Sequence, residues 1–180
     1  MTWHNISYEK IVILFVLVIF GTLPSAADTS AKDIQIAARA VAFMTNAPSG
    51  DVMTAIVYDP ANAASQSEAD AIMAAMAKGV KAGKAKLLPK LVPIDSLGNI
   101  SGSKVAFITG GMGSHHAAIF AAASTQAILV ISTDMDCVNA GNCVVGVASK
   151  PKVEIIISSS ARTAADISFK SAFLMMVKER

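Results

Sequence analysis

The chain is predicted to fold as a single-domain α/β three-layer sandwich. Its sheet is mixed but mostly parallel and ends in a C-terminal antiparallel hairpin plus helix. Three observations predict this. Short apolar runs of strand length alternate with longer Ala-rich segments of helical pattern along the 180 residues. The clearest of these runs, V-M-T-A-I-V-Y (52–58) and A-I-L-V-I (127–131), lack a polar face, as strands covered on both sides do. Finally, C-V-V-G-V-A-S and K-V-E-I-I-I-S are separated only by Lys150 and Pro151, which reads as a hairpin.

Each element has its own local reason. Ser30 with Asp33 makes a capping box, and I-Q-I-A-A-R-A-V-A-F-M-T continues that helix to about Thr45. N-A-P-S-G-D breaks it before the run 52–58, and D-P-A-N turns the chain after that run. Ser65 and Glu68 suggest a second capping box, ahead of a helix from Glu68 to about Lys81. K-L-L-P-K-L-V (86–92) reads as a strand that Pro89 confines to an edge. K-V-A-F-I-T (104–109) is a clearer strand, running into G-G-M-G-S-H-H and a helix to about Ser124. A last helix is expected from Ala161 to Lys178, with Ile167, Phe169, Phe173 and Leu174 on a broad apolar face.

Composition narrows the function classes. Hydrophobic residues make up 53% and aromatics only 6%, so Ala, Val, Ile and Met must build the core. A formal net charge of +2 is too small to suggest nucleic acid. The first 27 residues form a polar start ending in Lys10, the apolar run Ile11–Phe20, and G-T-L-P-S-A-A before Asp28. Ser25 and Ala27 occupy the small-residue positions of a cleavage site, and this layout is that of a secretory signal peptide. The apolar run is short of the roughly 20 residues that span a bilayer. The expectation is export, with cleavage near Ala27 and a mature domain over 28–180.

Export bears on the only two cysteines, Cys137 and Cys143. In an oxidising compartment two thiols so close in sequence tend to pair. Zinc would need two more ligands, and the neighbours His115 and His116 point about 100° apart on a helix. The Cys-x-x-Cys spacing of a redox motif is absent. A disulfide is therefore expected, with no metal and no cofactor.

The most site-like stretch is Gly110, Gly111, Gly113 and Ser114, between a strand and a helix. Its backbone N–H groups could hold an anion or small ligand, or it could simply be a tight turn with Ser114 as helix cap. It has neither dinucleotide-binding spacing nor a P-loop lysine. Ser114 beside His115 does not make a nucleophile–base pair, because adjacent residues rarely meet in that geometry. Asp134 and Asp136 are expected on a solvated loop. Lys78, Lys81, Lys84, Lys86 and Lys90 form a basic stretch, read as a solvated face or as a surface attracting an acidic partner or anionic lipid.

The C-terminal stretch C-V-V-G-V-A-S-K-P-K-V-E-I-I-I-S-S-S-A-R-T-A-A-D-I-S-F-K-S-A-F-L-M-M-V-K resembles the ending of the YfiR family of small periplasmic proteins. In that family a Gly-containing strand and a second strand lead into a helix with an A-A-R motif. Val153, Ile155 and Ile157 match the second strand; Ala161, Arg162, Ile167, Ser168, Phe173 and Leu174 match the helix. The chain departs from the pattern in having F-M-T-N-A-P-S without Trp, Ser158 in place of Asn, and one possible disulfide where some members have two.

The resemblance implies a regulator rather than an enzyme. Such proteins bind the periplasmic part of an inner-membrane diguanylate cyclase and hold it inactive, tuning cyclic-di-GMP signalling and biofilm formation. An OmpA-like outer-membrane lipoprotein sequesters them. On that basis Cys137–Cys143 would lock the loop before the hairpin; a homodimer is left open. The competing expectation is a small periplasmic ligand- or anion-binding module, similar to one lobe of a solute-binding protein.

Overall fold

The structure, a computed structural model, describes residues 29–180, so the expected signal peptide and its cleavage position lie outside the described residues. Helix α1 (Ala31–Ala42) starts at the expected capping box: Asp33 N–H donates to Ser30 Oγ, and Ser30 N–H donates to the Asp33 carboxylate at 2.9 Å. Strand β1 (Gly50–Tyr58) leads to α2 (Ala63–Met76), and a hairpin of β2 (Val80–Ala82) and β3 (Ala85–Pro93) follows. A 3-10 segment, Ile94–Ile100, connects to β4 (Val105–Ile108). Then come α3 (His116–Ser124), β5 (Leu129–Ser132), α4 (Met135–Asn139), and the pair β6 (Val145–Ala148) and β7 (Glu154–Ile157). The chain closes with α5 (Ser159–Ala164), α6 (Ser171–Leu174) and β8 (Lys178–Glu179).

The eight strands form one sheet in the order β2-β3-β1-β4-β5-β6-β7-β8. All neighbours are parallel except β2 with β3 and β6 with β7, so the sheet is mixed and mostly parallel as expected. The continuous apolar runs are explained by two cores. Val52 and Ile56 of β1 pack with α1 and α2 on one face, whereas Ala55 and Val57 join Ile119 of α3 and Val138 of α4 on the other. The same alternation splits Val105 and Phe107 from Ala106 and Ile108. Both faces are therefore covered, which makes three layers.

Several expectations need correction. The second helix begins at Asn62, not at Ser65. Asn62 Oδ1 accepts from the N–H groups of Ala64 and Ser65, and its short side chain outcompetes the apparent box downstream. That helix also stops earlier, at Met76, because Gly79 takes φ +73° and Val80–Ala82 turn into a strand. Pro89 lies in a strand that is not at the sheet's edge, yet β2 covers only Ala85–Leu87, so nothing on that side needs the missing N–H. Ala127 lies in the turn before β5 rather than in the strand.

The expected helix 161–178 is broken. Asp166 adopts φ +53°, Ile167 N–H reaches Arg162 O at 2.8 Å and Asp166 N–H reaches Thr163 O at 3.2 Å. That is a Schellman ending with Asp at the left-handed position usually held by Gly. The freed chain then bridges the end of α1: Met44 pairs with Phe169, and Lys170 N–H donates to Phe43 O. Phe173 stacks on Phe43 with centroids 4.9 Å apart. Burying this aromatic cluster outweighs the two turns of helix that are given up.

Candidate functional site

Because β1, β3, β4, β5 and β6 run parallel, their C-terminal ends share one edge of the sheet. The chain goes from β1 to β3 on one side and then crosses to β4 on the other side of β1. The direction of winding reverses there, and the loops leaving β1 and β4 lead to helices on opposite faces, the position at which open α/β sheets usually bind ligands. The first loop holds Asp59 and Asn62; the second holds the expected site residues Gly110, Gly111, Gly113 and Ser114.

A buried polar network lies beneath these two loops. Asp59 N–H donates to Ser65 Oγ at 2.9 Å, Ser65 Oγ lies 2.6 Å from Thr109 Oγ1, and Thr109 Oγ1 donates to Val57 O at 3.2 Å. Since Thr109 donates to the carbonyl, the Ser65 hydroxyl donates to Thr109, and the chain of donors is complete. Beside it, Glu68 is 4% exposed. Its carboxylate accepts from Gly110 N–H at 2.7 Å, from Thr29 N–H at 2.8 Å, and from the Thr29 hydroxyl. One side chain on α2 thus ties the start of α1 to the loop after β4. Thr29 Oγ1 also lies 3.2 Å from Thr133 Oγ1, which extends the network to the loop after β5.

The four site residues have different parts in this geometry. Gly110 is held by Glu68. Gly111 has φ +73°, and a Cβ there would sit 2.8 Å from Asn62 Nδ2, so this glycine lets the two loops close on each other. Gly113 has open space where a Cβ would be. Ser114 is exposed and caps nothing, contrary to one of its expected roles: the short 3-10 turn Gly113–His115 and α3 both start without a side-chain cap. Among the described residues, the N–H groups of Gly111 and Met112 have no hydrogen-bond acceptor. They open the loop that leads into the N-terminus of α3, where anions are favoured.

His116, set aside as a zinc ligand, is buried at the start of α3 with Nε2 3.7 Å from Asp134 Oδ2. That is too long for a hydrogen bond, and among the described residues Nε2 has no other partner. Burial pushes the imidazole below its ordinary pKa, and Asp134 and Asp136 only partly offset this. Asp134 is not on an unstructured loop: it caps α4 by accepting from Asp136 N–H at 2.9 Å. Among the described residues, no three His, Cys, Asp or Glu side chains are grouped to hold a metal ion.

The cysteines pair as expected. Cys137 in α4 and Cys143 just before β6 have Cα atoms 5.3 Å apart, and both side chains are fully buried in the second core. Among the described residues no helix is long and apolar enough to cross a membrane.

Sequence reasoning missed Glu68 as a network residue because it was read as a helix cap. The pattern could have shown otherwise. Ser65, Ala69, Ile72 and Met76 follow helical spacing, and Glu68 stands next to that buried stripe. An acidic residue on the buried side of a helix requires donors, and the N–H groups of a tight glycine turn supply one.

No protein-family model matches the chain, and no curated protein matches it. Among solved structures, it is similar to a conserved domain protein from Vibrio cholerae O1 biovar El Tor, with 14% identity and a TM-score of 0.59 over 83% of this chain and 59% of that one. It is also similar to an ABC domain from Streptococcus pneumoniae in complex with L-Trp, with 10% identity and a TM-score of 0.59 over 82% of this chain and 60% of that one. The chain spans less than two thirds of either structure. At such identities the likeness is one of fold: the chain is an α/β domain of the kind both structures contain.

Proposed function

We propose that the chain is a small-molecule binding module whose ligand presents an anionic group to the loop Gly110–Ser114. The observation that carries this reading is the reversal of strand order at β1, which brings the Asp59–Asn62 and Gly110–Ser114 loops together at the switch point of the sheet. The unengaged N–H groups of Gly111 and Met112 supply donors for the anion, and the Glu68 network holds the loop in place. One fold neighbour is an L-Trp complex, which makes a free amino acid a sensible first ligand.

The test is the melting temperature of the mature chain against single amino acids, L-Trp first, and against small organic acids. A binder should raise it, and Gly113→Val should abolish the rise while leaving the unliganded fold intact, since its side chain enters open space. A panel without any stabilising compound, or a hit insensitive to that substitution, refutes the site.

A second reading, the YfiR-like regulator of an inner-membrane diguanylate cyclase, is favoured by one specific feature. The Cys137–Cys143 bridge lies directly before the β6–β7 hairpin, the place the resemblance gives it. The bridge also suits a periplasmic, oxidising compartment. A pull-down from membranes with the oxidised chain tests this: recovery of a cyclase-type membrane protein or an OmpA-like lipoprotein supports regulation, and recovery of neither leaves the ligand-binding module alone.

A further inference from the structure

At the opposite edge of the sheet, where β1 and β3 begin, lies a cleft of about 360 Å³ lined by Lys81, Lys84 and Lys86 together with Asp51 and glycines 50, 79 and 83. A second hollow of about 280 Å³ shares Gly83 and Lys84 with it and adds Lys170. Among the described residues the ammonium groups of the three lysines have no ion-pair or hydrogen-bond partner, and Asp51 is the one acid in the lining.

Folding does not account for this arrangement. Lys81 and Lys86 are directly opposite each other in the antiparallel β2–β3 pair, and like charges so placed are destabilising. The turn between them, Gly83–Lys84, adds a third positive charge. Glycine at φ +63° suits the first turn position of a two-residue hairpin, but Lys84 beside it has no structural requirement to be basic. Gly79 makes room for one of these side chains: a Cβ there would sit 2.8 Å from Lys86 Cγ. The glycine walls leave backbone and lysine stems as the surface of the cleft.

We infer that this cleft binds a phosphate group. Lysine ammonium groups on flexible stems act as point charges, and three of them around one cleft suit a multiply charged tetrahedral anion. The cleft's volume is that of a small-molecule site and exceeds what a single bare phosphate fills, so a phosphate carried on a small organic group fits. The two sources of such a group for an exported chain are a free phosphorylated metabolite and the headgroup of an anionic phospholipid. This site is separate from the Gly110–Ser114 loop at the other end of the sheet and does not depend on it.

The experiment uses the mature oxidised chain with two probes at low salt. The first is glycerol 3-phosphate, followed by the amide resonances of Gly79 and Gly83. The second is co-sedimentation with phosphatidylcholine vesicles carrying phosphatidylglycerol, compared with phosphatidylcholine alone. Binding of the soluble probe identifies a free ligand; binding only to the anionic vesicles identifies a headgroup. In either case the triple variant Lys81→Gln, Lys84→Gln, Lys86→Gln should bind at least about tenfold more weakly. A triple variant at Lys104, Lys150 and Lys152, equal in charge but outside the cleft, should bind as the parent does. If neither probe binds, or if both triple variants lose binding equally, the cleft is not a phosphate site. The cleft variant should keep or raise its unfolding midpoint, which separates lost binding from lost folding.

Discussion

Glu68 and Lys86 stand near opposite ends of the same parallel sheet. Near the C-terminal ends of the strands, Glu68, Ser65, Thr109 and Thr29 are buried and each is hydrogen-bonded. Near the N-terminal ends, Lys81, Lys84 and Lys86 are exposed and face one another across a two-residue turn. A buried polar group without partners is costly, so the first arrangement must be complete to exist at all. An exposed lysine cluster is tolerated because water and salt screen it, so it can persist without contributing to stability. Polar residues in the first region are therefore fixed by folding, while those in the second are free to answer to a ligand.

The largest test of this contrast is Glu68→Ala. It removes the acceptor for two backbone N–H groups and should cost about 3 kcal/mol, as charged hydrogen bonds contribute roughly 1.5–3 kcal/mol each. Urea unfolding would measure it. A loss below about 1 kcal/mol would mean that water replaces the carboxylate and that the network is not closed.

Opening the Cys137–Cys143 bridge by a double Cys→Ser change comes next. For so short a loop, chain entropy predicts a loss of about 2 kcal/mol, readable in the same assay against the oxidised parent. An equally stable double variant would show that the bridge does not constrain the unfolded chain.

His116 gives a smaller, pH-dependent effect at the same end. Its pKa is lowered in the folded state, so the unfolded chain takes up a proton first as the pH falls. Stability should be full above about pH 6.5, decline below it, and level off once the folded-state pKa is passed. His116→Gln should flatten this part of the profile; an unchanged slope would assign the acid sensitivity to other groups.

The smallest effect belongs to the other end. Lys86→Gln relieves the like-charge pair with Lys81 and should stabilise by a few tenths of a kcal/mol at low salt, fading as salt is added. A destabilisation would mean that the Lys86 stem packed over Gly79 matters more than its charge.

What was legible in the sequence follows the same division. Continuous apolar runs revealed the buried strands, and the Ser30–Asp33 box placed the first helix, because both depend on neighbours along the chain. The split after Ala164 was not legible: Asp166 takes a glycine-like conformation, and what draws the chain away is a distant cluster of Phe43, Phe169 and Phe173. The second helix start was misread because two capping patterns lie three residues apart, and only burial of Ser65 and Glu68 decides between them. The Gly110–Ser114 loop was recognisable as a possible site, but its neighbour, the loop after β1, is set by strand order, which no local pattern encodes.

The strand order also bears on assembly. Strand β1, an interior strand, is made first, β3 joins one side of it, and β4, β5, β6, β7 and β8 are then added to the other side in the order in which they occur in the chain. Each of those later strands finds its hydrogen-bonding edge already synthesised. A chain that emerges from its N-terminus can thus extend its sheet outward from β1 without waiting for a distant partner. Helix α1 is the exception, since it also packs against β6 and cannot complete its contacts until most of the chain has arrived.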